Sequence, residues 1–359
     1  MFKISCLKND QPFTGLIEID GSYGEGGGAI LRNAVALSAL TSKTININNI
    51  RANRPKPGLM PQHLNAVSAV AQLSGAECDK LDIGSDELIF KPGNIEGGKF
   101  EIDIKTAGSV TLVLQAFMIP AVFVDSPVEI MIKGGTDVRW SPSVDYLQNI
   151  TLKILKKMGY TAKMDIIRRG HYPRGGGIVD VKIKPVKKLN PVKLIDLQFD
   201  KIKGISHAVN LPEHVAVRQA ESAEKVLEAG GIESEIEIEH SDNASGPGSG
   251  IVLWSDNDIP VGGSFIGERG LRAEKVGKKA AEEILYHISK GAALDKYMGD
   301  QIIPYIAIAE NSEVKTAELT LHTVTTIYVT EKILSKKFHT CGDLGETATI
   351  KVDRGLRTY

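Results

Sequence analysis

A shift of roughly 83 residues lays one stretch of this chain over another, and that regularity restricts its possible folds more than any other feature. The strand-like run LIEID (16–20) falls on FEIDIKT (100–106). The helical pattern QHLNAVSAVAQLSGAE (62–77) falls on DYLQNITLKILKKMGYT (145–161), with Leu64 on Leu147 and Gly75 close to Gly159. A duplicated supersecondary unit leaves such a trace, because each copy buries its apolar face only against a neighbour. Identity between the copies is low, so coincidence is the alternative.

Other segments fit the same frame. TININNI (44–50), VEIMIKG (128–134) and IVDVKIKP (178–185) are β-branched and bounded by Gly or Pro, as strands are. Apolar periodicity predicts helices over 28–41, 61–75, 108–123 and 143–158. The fold class is therefore α+β. From about residue 187 the texture changes to KGISHAVNL, HVAVRQAESAEKVLEAGG and ESEIEIEH, then a glycine-rich break at 241–250, then IVLWSD and VGGSFIG. We expect residues 187–277 to form a small inserted α/β domain, and residues 1–186 with 278–359 to form one large domain. A long amphipathic helix follows at 272–291, and the remainder has room for a third copy of the repeat.

Composition excludes several classes. Hydrophobic residues at 42% and charged residues at 24% are those of a soluble globular protein. A formal net charge of −1 supplies no global field for long nucleic acid, so any RNA contact must be local. Three distant cysteines, Cys6, Cys78 and Cys341, suit a reducing compartment and form no CxxC metal site. The N-terminal MFKISCLKNDQPFTG lacks the apolar run of a signal peptide, and no stretch is long enough to span a membrane, so the expected location is the cytoplasm.

Two segments carry chemistry. In IDGSYGEGGGAILR (19–32), four of the five residues from Gly24 to Gly28 are glycine, and a helix pattern follows at once. Backbone amides and a helix N-terminus can receive a phosphate there, although a tight strand-to-helix turn also explains the run. Neither a Walker motif nor a GxGxxG fingerprint is present. Glu25 opposes an anion unless a metal ion or an arginine lies between them, and a bridging divalent cation is the economical account. In IRANRPKPGLMPQH (50–63), Arg51, Arg54 and Lys56 fall within six residues, and Arg32 adds another guanidinium. Arginine forks match the oxygens of a terminal phosphate; the plain alternative is a solvated basic loop.

DGSYGEGGGAILR and IRANRPKPGLMPQHL closely resemble the opening of RNA 3'-terminal phosphate cyclases. Family-like blocks continue at AGSVTLVLQAFMIP (107–120), GGTDVRWSPSVDYL (134–147), RGHYPRGGG (169–177), YMGDQIIPYIA (297–307) and LTLHTVTTIYVTEKIL (319–334). Seven blocks in the family's order span nearly the whole chain. The resemblance implies a large domain of three repeated units, each a four-stranded sheet with two helices, interrupted by a small insert. It implies a ligase-class enzyme that uses ATP to convert an RNA 3'-phosphate end to a 2',3'-cyclic phosphate, with Mg2+ or Mn2+ as cofactor.

Carried over position by position, the resemblance makes His322 the nucleophile that takes AMP from ATP. It places Tyr297, Met298, Gly299, Asp300, Gln301 and Gln115 at the ATP, and Arg32, Arg51, Arg54 and Gln62 near the phosphates or RNA end. Glu25 becomes the metal contact. Two other readings fit the fold: a non-catalytic relative acting in ribosome biogenesis, and an enolpyruvyl-type transferase. His322, Glu25 and the arginines together speak against the first, and no substrate motif supports the second. His171, His207, His214, His240, His287 and His339 show no zinc-binding spacing, so no built-in zinc is expected. RGHYPRGGG either holds RNA phosphates through Arg169 and Arg174 or is a hairpin turn. No feature of the sequence sets an oligomeric state.

Overall fold

A computed structural model describes residues 15–353. Cys6 and the rest of the N-terminal stretch up to residue 14 lie outside the described residues. The first sheet comprises β1 (Ile17–Asp20), β2 (Ile45–Asn48), β3 (Glu77–Asp79) and β4 (Leu88–Lys91), in the order β1-β2-β4-β3. The β1–β2 pair is parallel and the other two pairs are antiparallel. Helix α1 (Gly28–Thr41) crosses from β1 to β2, and α2 (Pro61–Ser74) leads towards β3.

The second sheet repeats this order and these senses with β5 (Gly98–Asp103), β6 (Val128–Gly134), β7 (Thr161–Arg168) and β8 (Gly177–Lys184). Along β6, Val128, Ile130 and Ile132 are buried while Glu129, Met131 and Lys133 face outward, the period of two that a half-covered sheet requires. Helix α3 (Val110–Ala121) is the first crossover; Ser109 caps it by accepting the Leu112 amide at 3.2 Å. The second crossover begins as α4 (Val144–Tyr146), passes through a π turn (Leu147–Thr151) and ends as α5 (Leu152–Lys157).

Strand β9 (Lys193–Leu194) lies beyond the expected boundary at 187, yet it belongs to a sheet completed a hundred residues later. Between come the four strands of another sheet, β10 (Ile202–Val209), β11 (Ser234–Ser241), β12 (Gly248–Ser255) and β13 (Gly262–Ile266), ordered β11-β10-β12-β13. Two helices cover it: α6 (His214–Ala229), which joins β10 to its parallel neighbour β11, and α7 (Ala273–Ser289). Ile202, Leu227, Leu253, Val276 and Ile284 form a core separate from that of the other sheets. The expected boundary at 277 thus falls inside α7, whose apolar face belongs to the inserted sheet.

After α8 (Met298–Gln301) and α9 (Ile303–Ala309), β14 (Ser312–Thr316) pairs in parallel with β9. Helix α10 (Leu321–Leu334) then leads to β15 (Phe338–Cys341) and β16 (Ala348–Val352), giving the order β9-β14-β16-β15. Three sheets therefore share one strand order in both space and sequence. Helix α1 packs against α2, α3 and α10, so nearly its whole surface is buried, and six of its fourteen residues are alanine or glycine or serine of small bulk suited to close approach. No helix among the described residues is long and apolar enough to cross a membrane.

One buried carboxylate fastens these parts together. Asp295 Oδ1 accepts the Tyr146 hydroxyl at 2.6 Å and the amides of Tyr297 and Met298 at 2.9 Å each, while Oδ2 accepts the Gly262 amide at 2.9 Å. It joins α4, β13 and the segment leading into α8. Asp295→Ala leaves these donors unpaired in the interior, so a loss of about 3 kcal/mol or more is expected. Asp295→Asn should fall between this variant and wild type, because one acceptor oxygen remains. Denaturant-unfolding midpoints of the three proteins check this ordering.

Candidate active site

The glycine-rich turn lies where β1 ends and α1 begins. Asp20 Oδ1 accepts the Ser22 amide at 3.0 Å and the Ser22 hydroxyl at 2.7 Å, which closes the turn. Gly24 has φ +59°, and a Cβ there would stand 2.5 Å from the Thr325 hydroxyl of α10. At Gly28 a Cβ would stand 2.6 Å from His63 Nε2 on α2. The glycines thus admit two other helices to the turn as well as freeing backbone amides. Gly27 offers no side chain to cap α1, so first-turn amides remain available to an anion.

Residues near the end of the chain complete this surface. Thr320 caps α10 by accepting the Thr323 amide at 3.1 Å, which sets His322 in the first turn. One turn further, the Thr325 hydroxyl accepts the Glu25 amide at 3.0 Å, and the ring of Tyr328 stacks on Tyr23 with centroids 4.0 Å apart. His322 and Thr325 share a face because three residues nearly complete a helical turn. The Glu25 carboxylate stands between two partners: Oε1 is ion-paired with Arg54, and Oε2 lies 3.5 Å from His322 Nδ1. Oε2 is buried without a hydrogen-bond partner.

The arginines differ in their surroundings. Arg54 also donates to the Glu25 carbonyl at 3.0 Å, so an arginine does lie beside the loop carboxylate. Arg51 donates to the carbonyls of Lys56 and Gly58 and holds its own loop in shape. Burial pulls the Arg32 guanidinium down to about 10, with Asp300 opposing. Gln62 donates to the Ser109 carbonyl at 3.1 Å, tying the start of α2 to the start of α3.

Arg32, Gln115, Asp300 and Gln301 line one cleft. Its wall includes Leu147 and Thr151 at the two ends of the π turn, and the Thr151 hydroxyl donates to Gln301 Oε1 at 3.1 Å. Burial pushes the Asp300 carboxyl up to about 6 against the pull of His322 and Arg32. Burial also lowers His322 from its ordinary value; Asp300 resists this, and Arg32 and Arg54 add to it.

The other residues expected at the ATP lie apart from the cleft lining. Met298 is fully buried, a Cβ on Gly299 would meet the Thr316 hydroxyl at 2.4 Å, and the Tyr297 hydroxyl donates to Glu283 at 2.6 Å. Arg169, considered above for RNA, is buried in ion pairs with Asp145, Glu239 and Asp137, while Arg174 donates to the Ser245 carbonyl at 3.1 Å; residues 169–177 connect β7 to β8.

The sequence model of the family described as RNA 3'-terminal phosphate cyclase matches residues 23–340. A Methanopyrus kandleri protein of that description is 50% identical over 346 residues, covering 94% of this chain and 98% of its own. Proteins so described from Methanothermobacter thermautotrophicus and Pyrococcus furiosus are each 48% identical and also cover 94% of this chain, with 100% and 99% of their own lengths matched. The chain belongs to the RNA 3'-terminal phosphate cyclase family.

Within this site, sequence reasoning missed His63. It is buried among the arginines, its Nδ1 accepts the Met60 amide at 3.1 Å, and burial with Arg32 and Arg51 pulls it down to about 3, so it stays neutral. Its place beside Gln62 in the basic block was the available signal. Thr325 was equally unmarked, although it is one turn from His322.

The charge balance yields a prediction for the titration of His322. Its imidazole is expected to titrate below the ordinary 6.5 in wild type and lower still in Asp300→Asn, which loses the anion favouring the protonated form. NMR titration of the ring protons checks both; an unchanged or higher value in the variant contradicts the assignment.

Proposed function

We propose that this protein is an ATP-dependent enzyme that converts an RNA 3'-phosphate end to a 2',3'-cyclic phosphate through a histidine-bound AMP. The observation that carries the reading is the position of His322: half-exposed at the start of α10, with Nδ1 turned to Glu25. A carboxylate at Nδ1 favours the tautomer protonated there and leaves the lone pair on Nε2. That nitrogen can attack phosphorus without prior deprotonation, and the lowered proton affinity of the ring keeps it free at neutral pH.

Three transfers follow. Nε2 of His322 attacks the α-phosphorus of ATP, forming an N–P bond as the bond to pyrophosphate breaks. An oxygen of the RNA 3'-phosphate then attacks the same phosphorus, the N–P bond breaks, and an RNA-(3')pp(5')-A anhydride results. Finally the vicinal 2'-hydroxyl attacks the 3'-phosphorus, loses its proton and expels AMP. The phosphates are anionic throughout and negative charge collects on pyrophosphate and AMP as they leave, so the protein's main contribution is fixed positive charge at the phosphates, from Arg32, Arg51, Arg54 and the α1 amides. The ribose supplies proximity in the last step. Gln115, Asp300 and Gln301 are the cleft groups proposed to hold the nucleotide, with Tyr297, Met298 and Gly299 shaping the segment that presents the latter two.

Glu25 Oε2, buried and unpaired, fits a single carboxylate contact to Mg2+ or Mn2+, the remaining contacts coming from phosphates and water. Bound there, the ion would neutralise phosphate charge. We also propose that the three like-ordered sheets are copies of one unit and that the chain divides near the expected 187–277. Sheet membership supports edges nearer β9 and the end of α7.

Incubation with α-labelled ATP and a divalent cation tests the reading. Wild type should acquire one acid-labile, alkali-stable AMP, and His322→Asn should acquire none while melting like wild type. A wild-type protein that takes no label would instead be a non-catalytic relative. RNA ending in a 2'-deoxynucleotide 3'-phosphate should accumulate the adenylylated end without cyclising, and cyclisation of that substrate would rule out the last step. Glu25→Ala should need a higher divalent-metal concentration for self-adenylylation, read from the midpoint of a cation titration.

A further inference from the structure

A second cluster of titratable groups lies outside this site, at the join between the second sheet and the inserted one. Asp137 follows β6, His171 lies in the turn between β7 and β8, and His207 is on β10. All three side chains are buried. Their ligand atoms lie within 4.8 Å of one another. The two Nε2 atoms are 3.2 Å apart, and Asp137 presents Oδ2 4.0 Å from His171 and Oδ1 3.9 Å from His207. Two nitrogens bound to one tetrahedral ion at zinc-like distances stand roughly 3.3 Å apart.

We infer that Asp137, His171 and His207 form a buried site for one divalent transition-metal ion of the zinc class, pinning the inserted unit to the second sheet.

Charge supports this. Arg169 donates a fork to Asp145 at 2.7 and 3.0 Å and a second fork to Glu239 at 2.7 and 2.6 Å. Its contact with Asp137 is longer, at 3.4 Å. Two carboxylates therefore already answer the one guanidinium, and Asp137 adds a further negative charge. Three carboxyl groups, Asp137, Asp145 and Glu239, thus gather around one guanidinium, an acidic setting that suits a cation.

Geometry supports it too. The Thr136 hydroxyl donates to Asp137 Oδ2 at 2.7 Å and orients the carboxylate. A Cβ on Gly248 would stand 2.0 Å from His171 Cγ, so the bare backbone of β12 presses the ring into place. His207 pairs with Gly250 of the same strand, where a Cβ would stand 2.9 Å from its Cε1. The donor set of two imidazoles and one carboxylate suits zinc or cobalt better than magnesium. No local spacing reveals the cluster, because its members are separated in sequence and meet only through the sheet topology.

The test uses the full-length protein, stripped with a chelator and titrated with Co2+. One equivalent should survive desalting, give the visible absorption of a four-coordinate cobalt site and raise the thermal midpoint. His207→Gln should lose the absorption and bind cobalt about 100-fold more weakly or worse, whereas Glu25→Gln should keep both. Cobalt that washes out of wild type, or a spectrum unchanged in His207→Gln, overturns the inference in favour of a metal-free pair in which one Nε2–H donates to the other ring. X-ray absorption of zinc-loaded wild type gives a reading that needs no variant. Two imidazoles in the first coordination sphere are expected, and a sphere of oxygens alone overturns it.

Discussion

The Asp295 carboxylate decides where the cleft lined by Arg32, Gln115, Asp300 and Gln301 can exist. It holds the two amides that open the segment running into Asp300 and Gln301, and the same group anchors Tyr146 at the start of the helical run carrying Leu147 and Thr151. Two adjoining parts of the cleft wall, joined by the Thr151–Gln301 bond, are thus set by one side chain. A buried carboxylate is tolerable only when its lone pairs are used, and here four donors use them. Its bond to the Gly262 amide extends this control to the inserted sheet.

A second carboxylate organises the surface around the glycine turn. Glu25 ties the glycine turn to Arg54 on one side and faces His322 on the other. Packing and charge agree at this point, since the glycines that admit α10 and α2 also bring the histidine and the arginines to one spot. The turn is better understood as a junction of three helices than as a phosphate loop alone.

Much of the large unit was legible in the sequence because strands and helices there keep strict periods. Val128 to Gly134 alternates residue by residue, and the helix predicted over 28–41 has those bounds. Strand β3 was not legible, being three residues long, and β4 is as short as β1 and β2 but lacks the longer β-branched run that marks those two. Nor was β9, two residues long, whose partner β14 lies more than a hundred residues away. The expected edge at 277 falls inside α7 because that helix reads as amphipathic whichever sheet it covers. In the site, the glycine turn, the arginines and His322 stood out by residue type. His63 and Thr325 did not, since a buried histidine and a helical threonine are ordinary in sequence. Nothing in the order of residues brings Asp137, His171 and His207 together.

The bond between the Glu25 amide and the Thr325 hydroxyl spans 300 positions of the chain. A protein made from its N-terminus can fold its first sheets early, but the glycine turn has no histidine beside it until α10 has been synthesised and docked. Such long-range closure is slow, because chain entropy must be lost before the contact forms. Truncated or half-folded chains therefore lack the histidine beside the glycine turn, and the grouping of Glu25, Arg54 and His322 becomes a property of the finished molecule alone.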